Sequence, residues 1–406
     1  MNFKGQQIMI NSNTLNIIIN EYNTPSYIFD ENILIESIQN IKNHLPQNVK
    51  LCYAMKANPF LVEVLSTLVD RFEVCSPGEY EICKRCNIPP HKIIVSGINK
   101  TFESLKNIFL YSKGEGFYTI ESPYQYELLR QTISDSDIQL IEKPKLLLRL
   151  SSGNQFGMDT SVLTAVYKKI IIDNLATVQG IHYYSGTQKN LKKIVKDITH
   201  LNKIKEALSD MDTSHLELEY GPGLSFPYFT NDDVDISTSL NEFTNELHSI
   251  TAFTNITIEL GRYIAANCGY YITKIIDIKS TNKSNYLIVD GGIHQLNYYG
   301  QLTGMKTPYL SLIRNKDAPQ NTEDIQKYII CGSLCTSNDI LVKTAELSSP
   351  HIDDYILFER CGAYSPTEGI SLFLSRELPQ VLLVHKNNEI EVLRDVIEIN
   401  TLNSKK

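Results

Sequence analysis

Hydrophobic residues fall into short runs that end in polar or glycine-rich positions, and up to about residue 260 each run precedes a stretch of helical composition. Eight such runs follow one another: LCYAMK from Leu51, FEVCS from Phe72, KIIVSG from Lys92, FYTIES from Phe117, KLLLRL from Lys145, GIHYYSG from Gly180, LELEYG from Leu216 and ITIEL from Ile256. Nearly continuous apolar strands alternating with helices indicate a parallel sheet buried on both faces, and eight units predict a closed (β/α)8 TIM barrel. An open doubly wound sheet fits less well, because no dinucleotide-type glycine fingerprint follows the first strand. Beyond about residue 270 the runs become β-like with no long helices between them, as in YYITKIIDI, NYLIVDGG, DYILFER and QVLLVHK. They predict an all-β second domain. The early TPSYIFD run is expected to pair with it, so the expected organisation is an N-terminal segment over 1–40, a barrel over 41–265 and a C-terminal β domain over 266–406.

A chain of 406 residues accommodates a barrel of roughly 250 residues and a smaller partner domain. The 42% hydrophobic and 21% charged residues are those of a folded soluble protein, and no apolar stretch is long enough to span a membrane. The polar-interrupted N-terminus lacks the apolar core of a secretory signal, which predicts a cytoplasmic protein whose eight cysteines are free thiols. A formal net charge of −8 argues against a nucleic-acid partner.

In a barrel the active site is built from the C-terminal strand ends, which here offer Lys56, Ser76, Asn99, Ser122, Arg149, Tyr184, the Gly221-Pro222-Gly223 turn and Glu259. Lys56 reads either as a lysine reaching out to water or as a partly desolvated amine able to trap a carbonyl. Gly221 and Gly223, and the Gly261-Arg262 pair, are competent to receive a phosphate; ordinary tight turns explain them equally. Glu259 reads as a salt-bridge partner of Arg262 or as the carboxylate that keeps a pyridine nitrogen protonated. For His182 a satisfied structural role is favoured. Cys83 and Cys86 form a lone CxxC on what reads as a helix exterior, so no metal is expected.

With these residues in place the chain resembles the alanine-racemase-type barrel decarboxylases, which include the diaminopimelate, ornithine and arginine decarboxylases. The resemblance runs through YAMKAN at Tyr53, FEVCSPGE at Phe72, GIHYYSGTQ at Gly180, YGPGLSFPY at Tyr220, ELGR at Glu259, VDGG at Val289, GSLCTSND at Gly332 and CGAYSP at Cys361. It implies a pyridoxal 5'-phosphate (PLP) enzyme with Lys56 carrying the cofactor, assisted by Glu73, Arg149 and Tyr184, and with Glu259 facing the pyridine nitrogen. It implies a phosphate site of Thr187, Gly221, Gly223, Gly261 and Arg262, closed by Tyr364. Cys335 is then the acid that returns a proton to Cα in the neighbouring subunit's site, in a homodimer with shared sites. Substrate contacts are expected from Arg262, His294, Tyr298, Thr336 and Asp339.

Two departures shape the expected substrate. The family's HxHxGSQ has Tyr184 at its second histidine, and a tyrosine still stacks on a ring. After Cys335, where diaminopimelate enzymes carry Glu and ornithine enzymes Asp, stands Thr336, and the arginine expected after VDGG is replaced near Tyr298. With QFGMD at Gln155, this resembles the branch that decarboxylates conjugated amino acids, such as a siderophore intermediate built on citrate and diaminopropionate or a glutamyl group on a carrier protein. The alternatives are a diaminopimelate decarboxylase of lysine biosynthesis, a racemase, and, with least support, a non-catalytic PLP-binding protein.

Overall fold

The structure is a computed structural model that describes residues 10–208, 215–253, 255–298, 306–316 and 324–405. It contains two compact units: Ile38–Phe226 with Val234–Ile264, and the segment ending at Ser37 with Pro227–Asp233 and the chain from Ala265. Among the described residues no helix is long and apolar enough to cross a membrane.

The first unit is the expected closed barrel, with strands β2 (Val49–Ala54), β3 (Arg71–Val74), β4 (Ile93–Val95), β5 (Phe117–Ile120), β6 (Lys145–Arg149), β7 (Thr177–Tyr184), β8 (Glu217–Gly221) and β9 (Asn255–Leu260). All neighbours are parallel, and β9 closes onto β2 with Cys52 opposite Glu259. Side chains alternate between the helix layer and the interior, so Cys52, Ile94, Phe117 and Leu147 from four strands meet in one buried cluster. Helices start where the sequence supplies caps: the Ser76 hydroxyl accepts from Glu79 N at 3.1 Å and the Ser122 hydroxyl from Gln125 N at 3.2 Å, each just before a proline. These two serines, expected among the polar groups of the mouth, therefore cap helices.

Among the described residues the second unit is a nine-stranded sheet. Its strands are β1 (Ser26–Asp30), β10 (Gly269–Ser280), β11 (Asn285–Val289), β12 (Leu310–Ile313), β13 (Ile325–Cys331), β14 (Ile340–Ser348), β15 (Tyr355–Glu359), β16 (Gln380–Val384) and β17 (Ile390–Arg394). The TPSYIFD run is β1, antiparallel to β10 and parallel to β16. The long β10 carries two partner sets: its first half pairs with β1 and β15, and its second half, from Ile275 on, pairs with β11 across a shift between Ile275 and Asp277.

Candidate active site

Lys56 lies in a single 3-10 turn, Met55–Ala57, that follows β2 at its C-terminal end. Because β2 lies between β3 and β9, the amine sits between a carboxylate from each: Nζ is 2.7 Å from Glu73 Oε2 and 3.5 Å from Glu259 Oε1. The lysine side chain is 39% exposed and the two carboxylates only 3% and 5%. His182 Nε2, from β7, is 3.1 Å from Glu259 Oε2, which makes it a member of this cluster. Burial alone would push the Glu259 carboxyl up, but Lys56 and His182 outweigh it and hold the group below the ordinary carboxylate range.

A second set of strand ends forms a backbone cradle. Gly223 has φ +60°, and a Cβ there would lie 1.9 Å from Gly186 O and 3.0 Å from Thr187 Cα. At Gly221 it would lie 2.7 Å from Tyr184 Cδ2. The loops after β7 and β8 are zipped together: Lys189 N donates to Gly223 O at 2.8 Å, and the Gln188 amide exchanges hydrogen bonds with the backbone of Phe226. Tyr184, whose hydroxyl is pushed up by burial, faces the charges of Lys56, Glu259 and Arg262 and bonds the Thr187 side chain. A reactive amine, an ionised carboxylate and glycine-bared backbone at neighbouring strand ends fit the aldehyde, pyridine nitrogen and phosphate of PLP.

Arg149 is buried, 3.1 Å from Glu121 Oε1 with its guanidinium over the Phe156 ring. Gly261 and Arg262 follow β9 in the barrel unit, where a Cβ at Gly261 would lie 2.9 Å from Ala54 O and Arg262 begins a short helix, Arg262–Ala265; the other expected residues belong to the β unit. Cys335 is an exposed free thiol, and the Thr336 hydroxyl accepts from Asn338 N at 3.3 Å. Tyr364 has φ +68°, the left-handed region, in the loop after β15. Three residues expected to touch substrate have the following surroundings within the β unit. Asp339 accepts from Ile293 N at 2.8 Å and Leu334 N at 2.7 Å, tying two loops together. The Tyr298 hydroxyl donates to Glu359 O at 2.8 Å inside the sheet. His294 is 2% exposed, neither of its ring nitrogens has a hydrogen-bond partner among the described residues, and burial pushes it down to about 4, so it is neutral. Tyr299, adjacent to these, lies outside the described residues.

Sequence reasoning passed over Cys75, whose Sγ is 3.8 Å from Lys56 Nζ, although FEVCS places it at a strand end. It also placed Cys83 on a helix exterior, whereas that thiol is fully buried 3.6 Å from Met55 Sδ.

Residues 32–266 match the family described as "Pyridoxal-dependent decarboxylase, pyridoxal binding domain". The chain belongs to the pyridoxal-dependent decarboxylases. As a family member it uses PLP and is an amino-acid decarboxylase. It is 26% identical to the 2-[(L-alanin-3-ylcarbamoyl)methyl]-2-hydroxybutanedioate decarboxylase of Staphylococcus aureus, over 90% of this chain and 95% of that one. It is 23% identical to the L-glutamyl-[BtrI acyl-carrier protein] decarboxylase of Niallia circulans, over 92% and 91%. Its fold is shared with the diaminopimelate decarboxylase of Helicobacter pylori complexed with L-lysine, at TM-score 0.81 and 20% identity over 96% and 98% of the two chains.

Proposed function

We propose that this decarboxylase acts in the cytoplasm on a conjugated amino acid, one joined through an amide or a carrier linkage to a larger group, in siderophore or related secondary metabolism. The observation that carries the assignment of the reacting centre is the accessible Lys56 amine set between the buried carboxylates Glu73 and Glu259. Bound PLP supplies the electron sink that lets Cα release its carboxylate. The chain's residues supply the rest. Lys56 carries the cofactor, and Glu259, kept ionised by Lys56 and His182, holds a proton at the pyridine nitrogen. Tyr184 would lie against the ring, while Thr187, Gly221, Gly223, Gly261 and Arg262 would receive the phosphate and Tyr364 would close the site. Cys335, an exposed thiol, enters the partner site of a homodimer and returns the proton to Cα.

Support for a conjugate comes from Thr336, a neutral hydroxyl where the diaminopimelate and ornithine enzymes carry a carboxylate for a distal ammonium. A charged end left unpaired costs several kcal/mol, so free diamino acids are disfavoured. Two of the relatives above are named for conjugates of this kind. The test is kcat/KM measured side by side for diaminopimelate, ornithine, lysine, arginine and a citryl-diaminopropionate amide. The amide should be preferred; diaminopimelate turnover above roughly 10⁴ M⁻¹s⁻¹, ordinary for an enzyme on its own substrate, would defeat the reading.

A further inference from the structure

Behind the glycine cradle lies a buried ion pair that the chemistry above does not use. Lys189, 5% exposed, ends the loop after β7, and its Nζ is paired with Asp197 on the following helix, Leu191–Ala207. Asp197 also takes two hydroxyls: both its oxygens accept from the Ser185 hydroxyl at 2.8 Å, and Oδ2 accepts from the Tyr220 hydroxyl of β8 at 3.0 Å. Lys189 Nζ in turn donates to Ser185 Oγ at 2.7 Å. The two anchored residues, Ser185 and Lys189, bracket Gly186, Thr187 and Gln188, and Tyr220 immediately precedes Gly221. Gly186 and Gln188 have positive φ of 123° and 52°, so this short loop holds an uncommon backbone path. Lys189 N is also the donor that fastens the loop to Gly223 O.

A buried lysine is costly unless it is paired and hydrogen-bonded, and breaking such a pair leaves an uncompensated charge. Here the cost is met beside the hydrogen bond from Lys189 N to Gly223 O that joins the two loops. We infer that Lys189, through Asp197 and Ser185, is a positioning residue that holds the Gly186–Gln188 loop against Gly223 in the form that receives the cofactor's phosphate. Its own charge is neutralised by Asp197, so it acts on the phosphate through loop geometry and not as a phosphate ligand. The inference rests on the phosphate site proposed above.

The experiment compares PLP with pyridoxal, which lacks the phosphate, by visible-absorbance titration of the full-length protein stripped of cofactor. Wild type should bind PLP far more tightly than pyridoxal. Lys189→Met should weaken PLP by about tenfold to a hundredfold, the range seen when an outer group that orients a binding shell is lost, while pyridoxal changes less than about twofold. Because Lys189→Met leaves Asp197 buried and unpaired, the double variant Lys189→Met/Asp197→Leu is measured alongside; it should regain thermal stability without regaining the PLP preference. Lys189→Arg, which keeps the pair, should retain most of that preference. A folded double variant with undiminished preference for PLP overturns the inference, as does an equal loss for both ligands, which marks a general structural role. Wild type that fails to prefer PLP fails the phosphate site itself, an outcome distinguishable from failure of the brace.

Discussion

Two layers of charge sit one above the other inside the barrel, supplied by the same strands two residues apart. Arg71, Glu217 and Thr257 form the lower layer, while Glu73 and Glu259 carry the upper one, two residues further along β3 and β9. The lower layer is closed. Arg71 meets Glu217 through both terminal nitrogens, Thr257 Oγ1 donates to Glu217 Oε1 at 2.7 Å, and the guanidinium lies 3.9 Å over the Phe117 ring. The upper layer differs in one respect that decides its role: its cation, Lys56, is 39% exposed where Arg71 is 5%. On the proposed reading the same acid and base types are structural in one layer and chemical in the next. Access to a reactant, more than burial or pairing, separates the two.

The comparison breaks most sharply at its two cations. Lys56→Ala should abolish decarboxylation and the borohydride-fixed PLP label on its peptide, yet leave the melting temperature nearly unchanged, because the side chain lies at the mouth. Arg71→Ala should do the reverse. Removing one partner of a buried pair costs about 3–5 kcal/mol, so urea unfolding should shift strongly while turnover per folded molecule persists. If Arg71→Ala loses turnover at unchanged stability, the lower layer is part of the chemistry and the distinction fails.

Within the upper layer, Glu259→Gln tests whether the charge or only the shape is used. The variant should retain PLP and slow kcat on the order of 10²-fold, equivalent to about 3 kcal/mol of transition-state stabilisation. Unchanged kcat would remove Glu259 from the pyridine nitrogen.

How far the sequence revealed this arrangement follows from the kind of signal each part leaves. The eight barrel strands were legible because burial on both faces makes each a continuous apolar run, and Lys56, Arg149 and Glu259 stood out as charges ending such runs. Ser76 and Ser122 misled because a serine before proline is at once a polar strand ending and a helix cap. Asp339 and Tyr298 sit among family motifs, but their partners, Ile293 and Glu359, are 46 and 61 residues away, a pairing that only the folded β unit creates. The lower charge layer left no trace for the same reason, since Arg71 and Glu217 are 146 residues apart.

The smallest effect lies at Glu219, the carboxyl on β8 two residues beyond Glu217. Among the described residues both of its oxygens lack a hydrogen-bond partner, and its cation contact is Arg71 Nη1 at 3.5 Å. Burial pushes Glu219 well up despite Arg71, which favours the neutral acid. Glu217 behaves oppositely: burial would raise it, but its bonds to Arg71 outweigh that and bring it down. The two neighbours therefore predict pH slopes of opposite sign. A raised carboxyl contributes stability that is full below the unfolded value, ~4.3, and is lost as pH rises through the folded one; a depressed carboxyl contributes stability that is lost as pH falls. Glu219→Gln cannot ionise, so it should gain on wild type in urea midpoint as pH rises from about 5 to 8, by about 1 kcal/mol. Glu217→Gln should instead show its largest deficit at neutral pH and lose that deficit as acid protonates the wild-type carboxylate. Parallel slopes for the two variants would mean that Glu219 is ionised in the fold, and Arg71 would then have a second carboxylate to balance besides Glu217.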